Sequence, residues 1–360
     1  MIDGDRRLSL IVGPLILPSP GSIAQPEVHD GCAPVAPPLS VGDPNEVNMM
    51  ILILSTPADG PANRVEQKLR QRGANVIRFN PGGFPAEAAL SVAYSPEGKV
   101  RTALRIDDAM IDFDQVTSIW LRRPGLPIPH DTIPAGPGRD FVAQECRALL
   151  FDAWHALQCG WLPGTPGAVR DAQRKLSQLV VAGEVGFELP PTLVTTSPDD
   201  LIAFYREHNG AIISKLADLA FHQTLGREFA RYTEIVSKRD MGYVDSVRYC
   251  PMIYQAYVPK RFEVRVTVVG QEVFAAEIHS QESHHTKHDW RRYDDAQTPY
   301  RPHDLPSDLR QLCLRLTERL GLCYGAIDLV LTPDGRYVFL EMPVPVDRGR
   351  DSPAYLRRHL

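Results

Sequence analysis

With 360 residues, 43% of them hydrophobic, the chain can bury two or three compact lobes and is too apolar for a disordered polypeptide. Its 39 Lys and Arg against 44 Asp and Glu give a formal charge of −5, which excludes a molecule-wide field attracting nucleic acid. Six cysteines (Cys32, Cys146, Cys159, Cys250, Cys313 and Cys323) form no C-x-x-C pair and no regular framework, a usage that suits reduced thiols in a cytoplasm.

Residues 1–48 are dense in proline, among them Pro14, Pro18, Pro20, Pro34, Pro37, Pro38 and Pro44, and carry no helical or strand period. Such a stretch cannot offset its ordering entropy by burial and reads as a flexible extension. Its longest apolar run, Leu8 to Leu17, is interrupted by Gly13 and Pro14 and is too short to span a bilayer. The run 51–54 then predicts a buried strand, 62–72 a helix closed by Gly73, and 76–79 a second strand. Strand–helix–strand order predicts an α/β lobe on a parallel sheet, with further strands at 89–94, 100–106 and 118–121. A helix is expected at 139–159, ended by Gly160 and Pro163. A second α/β region begins near Thr165, with helices at 168–183 and 199–208 and a strand at 211–216. The last helix, 307–320, carries Leu309, Leu312, Leu316 and Leu320 on one face and stops at Gly321.

The groups suited to chemistry sit on or beside these elements. Lys215 ends the apolar run 211–214, so its ammonium is expected at a sheet edge; Lys175 lies within the helix 168–183. Either lysine alone is more often a solvated surface charge. Glu263 and Arg265, two apart on a strand, share a face, as ligand-binding groups or as a salt bridge. Asp328 and Glu341 lie on two strands joined by the turn Thr332-Pro333-Asp334-Gly335-Arg336, a hairpin that brings two carboxylates near each other. Clustered carboxylates are costly without a cation, and their hard oxygens suit Mg²⁺. The stretch 279–292 is dense in His284, His285, His288, Asp289, Arg291 and Arg292. It reads better as a substrate-facing loop than as a transition-metal site.

Tyr254-Gln255-Ala256-Tyr257-Val258, Glu263-Val264-Arg265-Val266, Gly325-Ala326-Ile327-Asp328 and Phe339-Leu340-Glu341, in that order after Lys175 and Lys215, resemble the ATP-grasp ligases. Val258-Pro259-Lys260, Phe274-Ala275-Ala276-Glu277-Ile278-His279-Ser280-Gln281, Thr286-Lys287-His288-Asp289-Trp290-Arg291-Arg292-Tyr293 and Trp120-Leu121-Arg122-Arg123-Pro124 are similar to the maturases that make microviridins and related graspetides. The resemblance implies an α/β ATP-grasp fold with an N-terminal parallel-sheet pre-ATP-grasp lobe. Its expected divisions are the extension 1–48, the pre-ATP-grasp domain 49–164, the ATP-grasp domain 165–345 and a divergent tail 346–360.

It further implies ATP and Mg²⁺, with Lys175 and Lys215 on the phosphates, Gln255, Tyr257 and Val258 on adenine, and Glu263 on the ribose. Asp328 and Glu341 would hold metal, while Arg265, Arg291 and Arg292 would serve the reaction, the last two by orienting an acidic peptide side chain. The implied activity is ATP-dependent formation of ester or amide crosslinks in a ribosomally made precursor peptide through an acyl phosphate. The implied partners are that peptide, with its leader and an acidic, hydroxyl- or Lys-bearing core, and a second copy of the chain in a homodimer, with no nucleic acid and no membrane. A small-metabolite carboxylate–amine ligase and a silent peptide-binding homologue remain alternatives. In two places the chain departs from the family. Pro343 stands where the family has an Asn metal ligand, so Asp347 or water completes the shell or activity is impaired. Only Gly226 represents the expected glycine-rich phosphate cover.

Overall fold

The computed structural model describes residues 50–216, the backbone of 221–224 and 227–230, and residues 233–282 and 299–344. The expected extension 1–48, Gly226, His284, His288, Arg291, Arg292, Asp347 and the tail 346–360 lie outside the described residues. The apolar run after position 49 is β1 (Met50–Ser55), with Leu52, Ile53 and Leu54 fully buried. A strand with water on neither face belongs inside a covered parallel sheet. Helix α1 (Gly60–Gln71) follows, its N-terminus capped by Asp59, which accepts from the Ala62 N–H at 3.1 Å. Gly73, at φ +80°, supplies the left-handed turn into β2 (Asn75–Phe79).

Next come β3 (Ala88–Tyr94), β4 (Val100–Ile106) and β5 (Ala109–Asp112), then β6 (Val116–Arg123), α2 (Pro137–Ala156) and β7 (Gly160–Leu162). The parallel sheet runs β2-β1-β6-β7, and β3-β4-β5 form a separate antiparallel sheet. The expectation that 89–94 and 100–106 join the parallel sheet is thus corrected. Only a few residues separate these strands, and a parallel pair requires a crossover of about a dozen or more. Helix α2 also ends earlier than expected, because Leu157 is already extended toward β7, a strand not foreseen.

In place of one helix over 168–183 there are two, α3 (Pro166–Ala172) and α4 (Lys175–Val185). Thr165 caps α3, Arg174 is extended between the helices, and the Ala172 carbonyl accepts from Gln178 Nε2 at 2.6 Å. The break is therefore stabilised by side chains at both helix ends. It leaves Lys175 at the first position of α4 rather than mid-helix.

Strand β8 (Thr192–Thr195), α5 (Pro198–Glu207), β9 (Ile212–Lys215), the hairpin β10 (Phe221–Thr224) and β11 (Arg227–Ala230), β12 (Glu234–Ile235), α6 (Lys238–Met241) and β13 (Met252–Ala256) follow. Four of these strands build a sheet ordered β12-β9-β13-β8, with its own small core of Leu201, Phe204, Ile212, Val236, Val247 and Met252, while β10 and β11 pair only with each other. Because β9 lies between β12 and β13, Lys215 emerges at a strand end and not at a sheet edge, as had been expected.

The last sheet contains β14 (Phe262–Val269), β15 (Glu272–Ile278), β16 (Tyr300–Pro302), β17 (Tyr324–Leu331) and β18 (Tyr337–Glu341), ordered β16-β15-β14-β17-β18. Helix α7 (Ser307–Arg319) covers one face with Leu309, Cys313 and Leu316. Along β14, Val264, Val266 and Val268 are fully buried in the core. Each such side chain contributes about 1.5–3 kcal/mol by burial, which holds the register and turns Glu263 and Arg265 to the opposite face. Among the described residues no helix is long and apolar enough to cross a membrane.

Candidate active site

The hairpin β17–β18 sets Asp328 directly opposite Glu341, with an irregularity in register immediately after Asp328. Across the neighbouring ladder Asp328 is opposite Arg265, and Arg265 Nη1 donates to Asp328 Oδ1 at 2.6 Å. Burial opposes the Arg265 charge, but the nearby Asp328 carboxylate, with Glu341 and Tyr324 beyond it, holds the guanidinium above its ordinary pKa. One positive and two negative side chains are therefore concentrated on one sheet face.

Two residues before Arg265, Glu263 is buried at 4% exposure. Burial pushes its carboxyl above the ordinary carboxylate range, and Lys260 Nζ, which donates to Oε1, with a smaller contribution from the nearby Ser280 hydroxyl, offsets part of that shift. Its other oxygen, Oε2, is buried without a hydrogen-bond partner, as is Gln255 Oε1. An unsatisfied buried acceptor costs about 1–3 kcal/mol, so both positions favour a ligand that donates. Gln255 Nε2 donates to Thr192 Oγ1 at 2.8 Å. The N–H groups of Ala256 and Tyr257 already donate to Pro191 and Ala211 carbonyls, leaving Val258 as the next backbone donor along the chain.

Gln255, Tyr257, Val258, Glu263, Asp328 and Glu341 all line one open cleft, to which Lys215 and Lys260 also contribute. Lys175 stands behind Glu341: its Nζ donates to the Leu216 carbonyl at 2.8 Å and lies 3.7 Å from Glu341 Oε2. The cationic groups Lys175, Lys215, Lys260 and Arg265 thus outnumber Glu263, Asp328 and Glu341, a balance suited to a polyanion. Sequence reasoning assigned Lys260 no role in the site, although a Lys three residues before Glu263 was the available signal. It also passed over Gln178, which shares a helix face with Lys175.

A family model described as the MvdD pre-ATP grasp domain matches residues 50–166. The macrocyclase MdnB from Microcystis aeruginosa MRC is 30% identical, with TM-score 0.68 over 86% of this chain and 97% of that one. The chain belongs to the ATP-grasp ligases that mature graspetides. A RiPP-associated ATP-grasp ligase of Chryseobacterium gregarium, solved in complex with ADP and a leader and core peptide, is 29% identical with TM-score 0.76, covering 83% of this chain and 90% of that one. The macrocyclase MdnC of Microcystis aeruginosa MRC, bound with precursor peptide MdnA, is 26% identical with TM-score 0.73, covering 85% and 95%. Comparison with curated proteins found no match.

The fold read from the sequence, mixed α/β with a parallel sheet in the N-terminal region, is the fold of this ligase family. Asp328 and Glu341 are hard oxygen donors in register, although no group of three or more His, Cys, Asp and Glu side chains among the described residues is arranged to hold a metal unaided. A cation bound by two carboxylates and completed by phosphate oxygens fits that count.

Proposed function

We propose that this ligase closes ester or amide crosslinks within a ribosomally made precursor peptide at the expense of ATP. One observation carries the reading: the Asp328–Glu341 pair lines one cleft with Lys215 and the orphaned acceptor Glu263 Oε2, while Lys175 and Arg265 contact the two carboxylates from beside it. The peptide partner is supported by the relatives whose structures contain a leader and core peptide or a precursor peptide.

In the proposed reaction, an Asp or Glu carboxylate oxygen of the peptide attacks the γ-phosphorus. The bond from phosphorus to the β–γ bridging oxygen breaks, its electron pair leaves with ADP, and an acyl phosphate forms. A Ser or Thr hydroxyl or a Lys amine of the same peptide then attacks the acyl carbon and gives up its proton, and phosphate leaves. Mg²⁺ held by Asp328 and Glu341 would supply positive charge to the phosphates. Lys175 and Lys215 lower the repulsion between the triphosphate and the incoming carboxylate. Glu263 Oε2 accepts from a ribose hydroxyl, and Gln255, Tyr257 and Val258 receive the base. Arg265 pairs with and orients Asp328 and adds a cation beside the transferred group. Arg291 and Arg292, outside the described residues, orient the peptide acid in this reading.

The test is incubation with ATP, Mg²⁺ and a synthetic peptide from a short neighbouring reading frame rich in Thr, Ser, Lys, Asp and Glu. Loss of one water per crosslink, with one ADP formed for each, is expected, and hydroxylamine lability separates ester from amide. ATP consumption that transfers the acyl group only to free amines or amino acids would overturn the peptide reading.

A further inference from the structure

Gln178 is almost wholly buried, at 2% exposure, and all its polar atoms are used. Its Nε2 donates to the Ala172 carbonyl at 2.6 Å and the Met342 carbonyl at 2.9 Å, while Oε1 accepts from the Met342 N–H at 2.9 Å. The amide therefore pairs with both backbone groups of one residue 164 positions away, as a neighbouring strand would. Met342 is itself fully buried, and its side chain fills the space beside Gly325 that any Cβ there would occupy. Glu341 lies between this clamp and its ladder partner Asp328. One turn back on α4, Lys175 reaches the Glu341 carboxylate at 3.7 Å. A single helix face thus holds residue 341 by charge and residue 342 by backbone.

We infer that Gln178 is the positioning residue of the metal site: by fixing the backbone at Met342 it aims the Glu341 carboxylate into the cleft beside Asp328. The inference rests on the reading of Glu341 as a metal ligand. A buried hydrogen-bonding group of this kind is an expensive way to join a helix to a strand end, since an apolar side chain would pack there without obligatory partners. What the amide adds is directional control of the residue next to the carboxylate.

The test is binding of the ATP analogue AMPPNP by calorimetry, with saturating Mg²⁺ and with EDTA, for wild type, Gln178→Met, Glu341→Gln and the double variant. Gln178→Met keeps length and loses all three bonds. It should weaken Mg²⁺-dependent binding about tenfold, the scale for partners that orient metal ligands, and leave binding in EDTA unchanged. On the Glu341→Gln background it should add no further loss of Mg²⁺ dependence. Equal losses with and without Mg²⁺, or full additivity in the double variant, would overturn the inference and make Gln178 a structural tie. If Glu341→Gln itself leaves Mg²⁺ dependence intact, the metal reading of Glu341 fails, whereas a defect in Glu341→Gln without one in Gln178→Met refutes the inference alone. Should Gln178→Met not fold, Gln178→Asn replaces it: its amide is one methylene too short to keep the Met342 bonds, so the same loss confined to Mg²⁺-dependent binding is expected, and binding equal to wild type with and without Mg²⁺ would count against the clamp.

Discussion

Replacing Arg265 with Met removes the guanidinium from a face that holds Asp328, Glu341 and Glu263 while keeping most of the aliphatic stem. In the wild type Arg265 Nη1 lies 2.6 Å from Asp328 Oδ1, with the two side chains 29% and 9% exposed. With charge centres roughly 4 Å apart and an effective dielectric of about 20, the attraction is about 4 kcal/mol. Breaking a buried pair by removing one partner costs roughly 3–5 kcal/mol. Partial access of water to Arg265 places the expected loss near the lower bound, about 3 kcal/mol, which is a fall in Tm of roughly 6–12 °C on the usual scaling for a folded unit of this size. A divalent cation replaces the missing charge, so Mg²⁺ should recover part of the loss and stabilise Arg265→Met more than wild type. Scanning calorimetry with MgCl₂ against KCl at matched ionic strength reads both effects. An unchanged Tm in Arg265→Met, or an equal Mg²⁺ increment in the two proteins, would refute the claim that Arg265 compensates these carboxylates.

Glu341→Gln should behave oppositely, raising the Mg²⁺ concentration needed for ATP turnover while the metal-free protein keeps its Tm within a few degrees, because it removes one of two facing carboxylates, whereas Asp328→Asn should raise the Mg²⁺ requirement and also lower Tm, because it takes the partner from Arg265; titrating Mg²⁺ in a phosphate-release assay alongside melting curves checks this. Lys215→Ala, at the end of β9 in the cleft wall, should abolish ATP-dependent phosphate release with little change in Tm, and normal turnover in the folded variant would remove Lys215 from the site. Glu277 predicts an acid effect: burial raises its carboxyl pKa, but hydrogen bonds from His303 and His279 outweigh that and hold it below the ordinary value. Its contribution to stability is then fully present above the ordinary carboxylate range and fades as pH falls through the lowered value, so Glu277→Gln should flatten the acid limb of a urea-unfolding series.

Much of the secondary structure was legible because it is written in local periods. The unbroken apolar run of β1, the alternation of valines along β14 and the leucine face of α7 each report burial from a short window. The turn Thr332–Arg336 likewise implied that Asp328 and Glu341 would come close, since a hairpin's register follows from its loop. Partner choice was not local. Whether β3 and β4 join the parallel sheet depends on crossover length and on which edge is already occupied, and their apolar pattern is the same in either arrangement. The break between α3 and α4 was invisible for a similar reason: nothing in the sequence around Arg174 says that Gln178 will meet the Ala172 carbonyl and the backbone of Met342 together. Charge pairing followed the same rule. Glu263 and Arg265 share a strand face, yet Glu263 takes Lys260 and Arg265 takes Asp328, because the β14–β17 register and the approach of the Lys260 segment bring those partners nearer. Sequence by itself determined which segments bury and which side chains alternate, whereas the tertiary structure alone decided which distant charges and amides meet, since those contacts depend on distances between segments that no local period encodes.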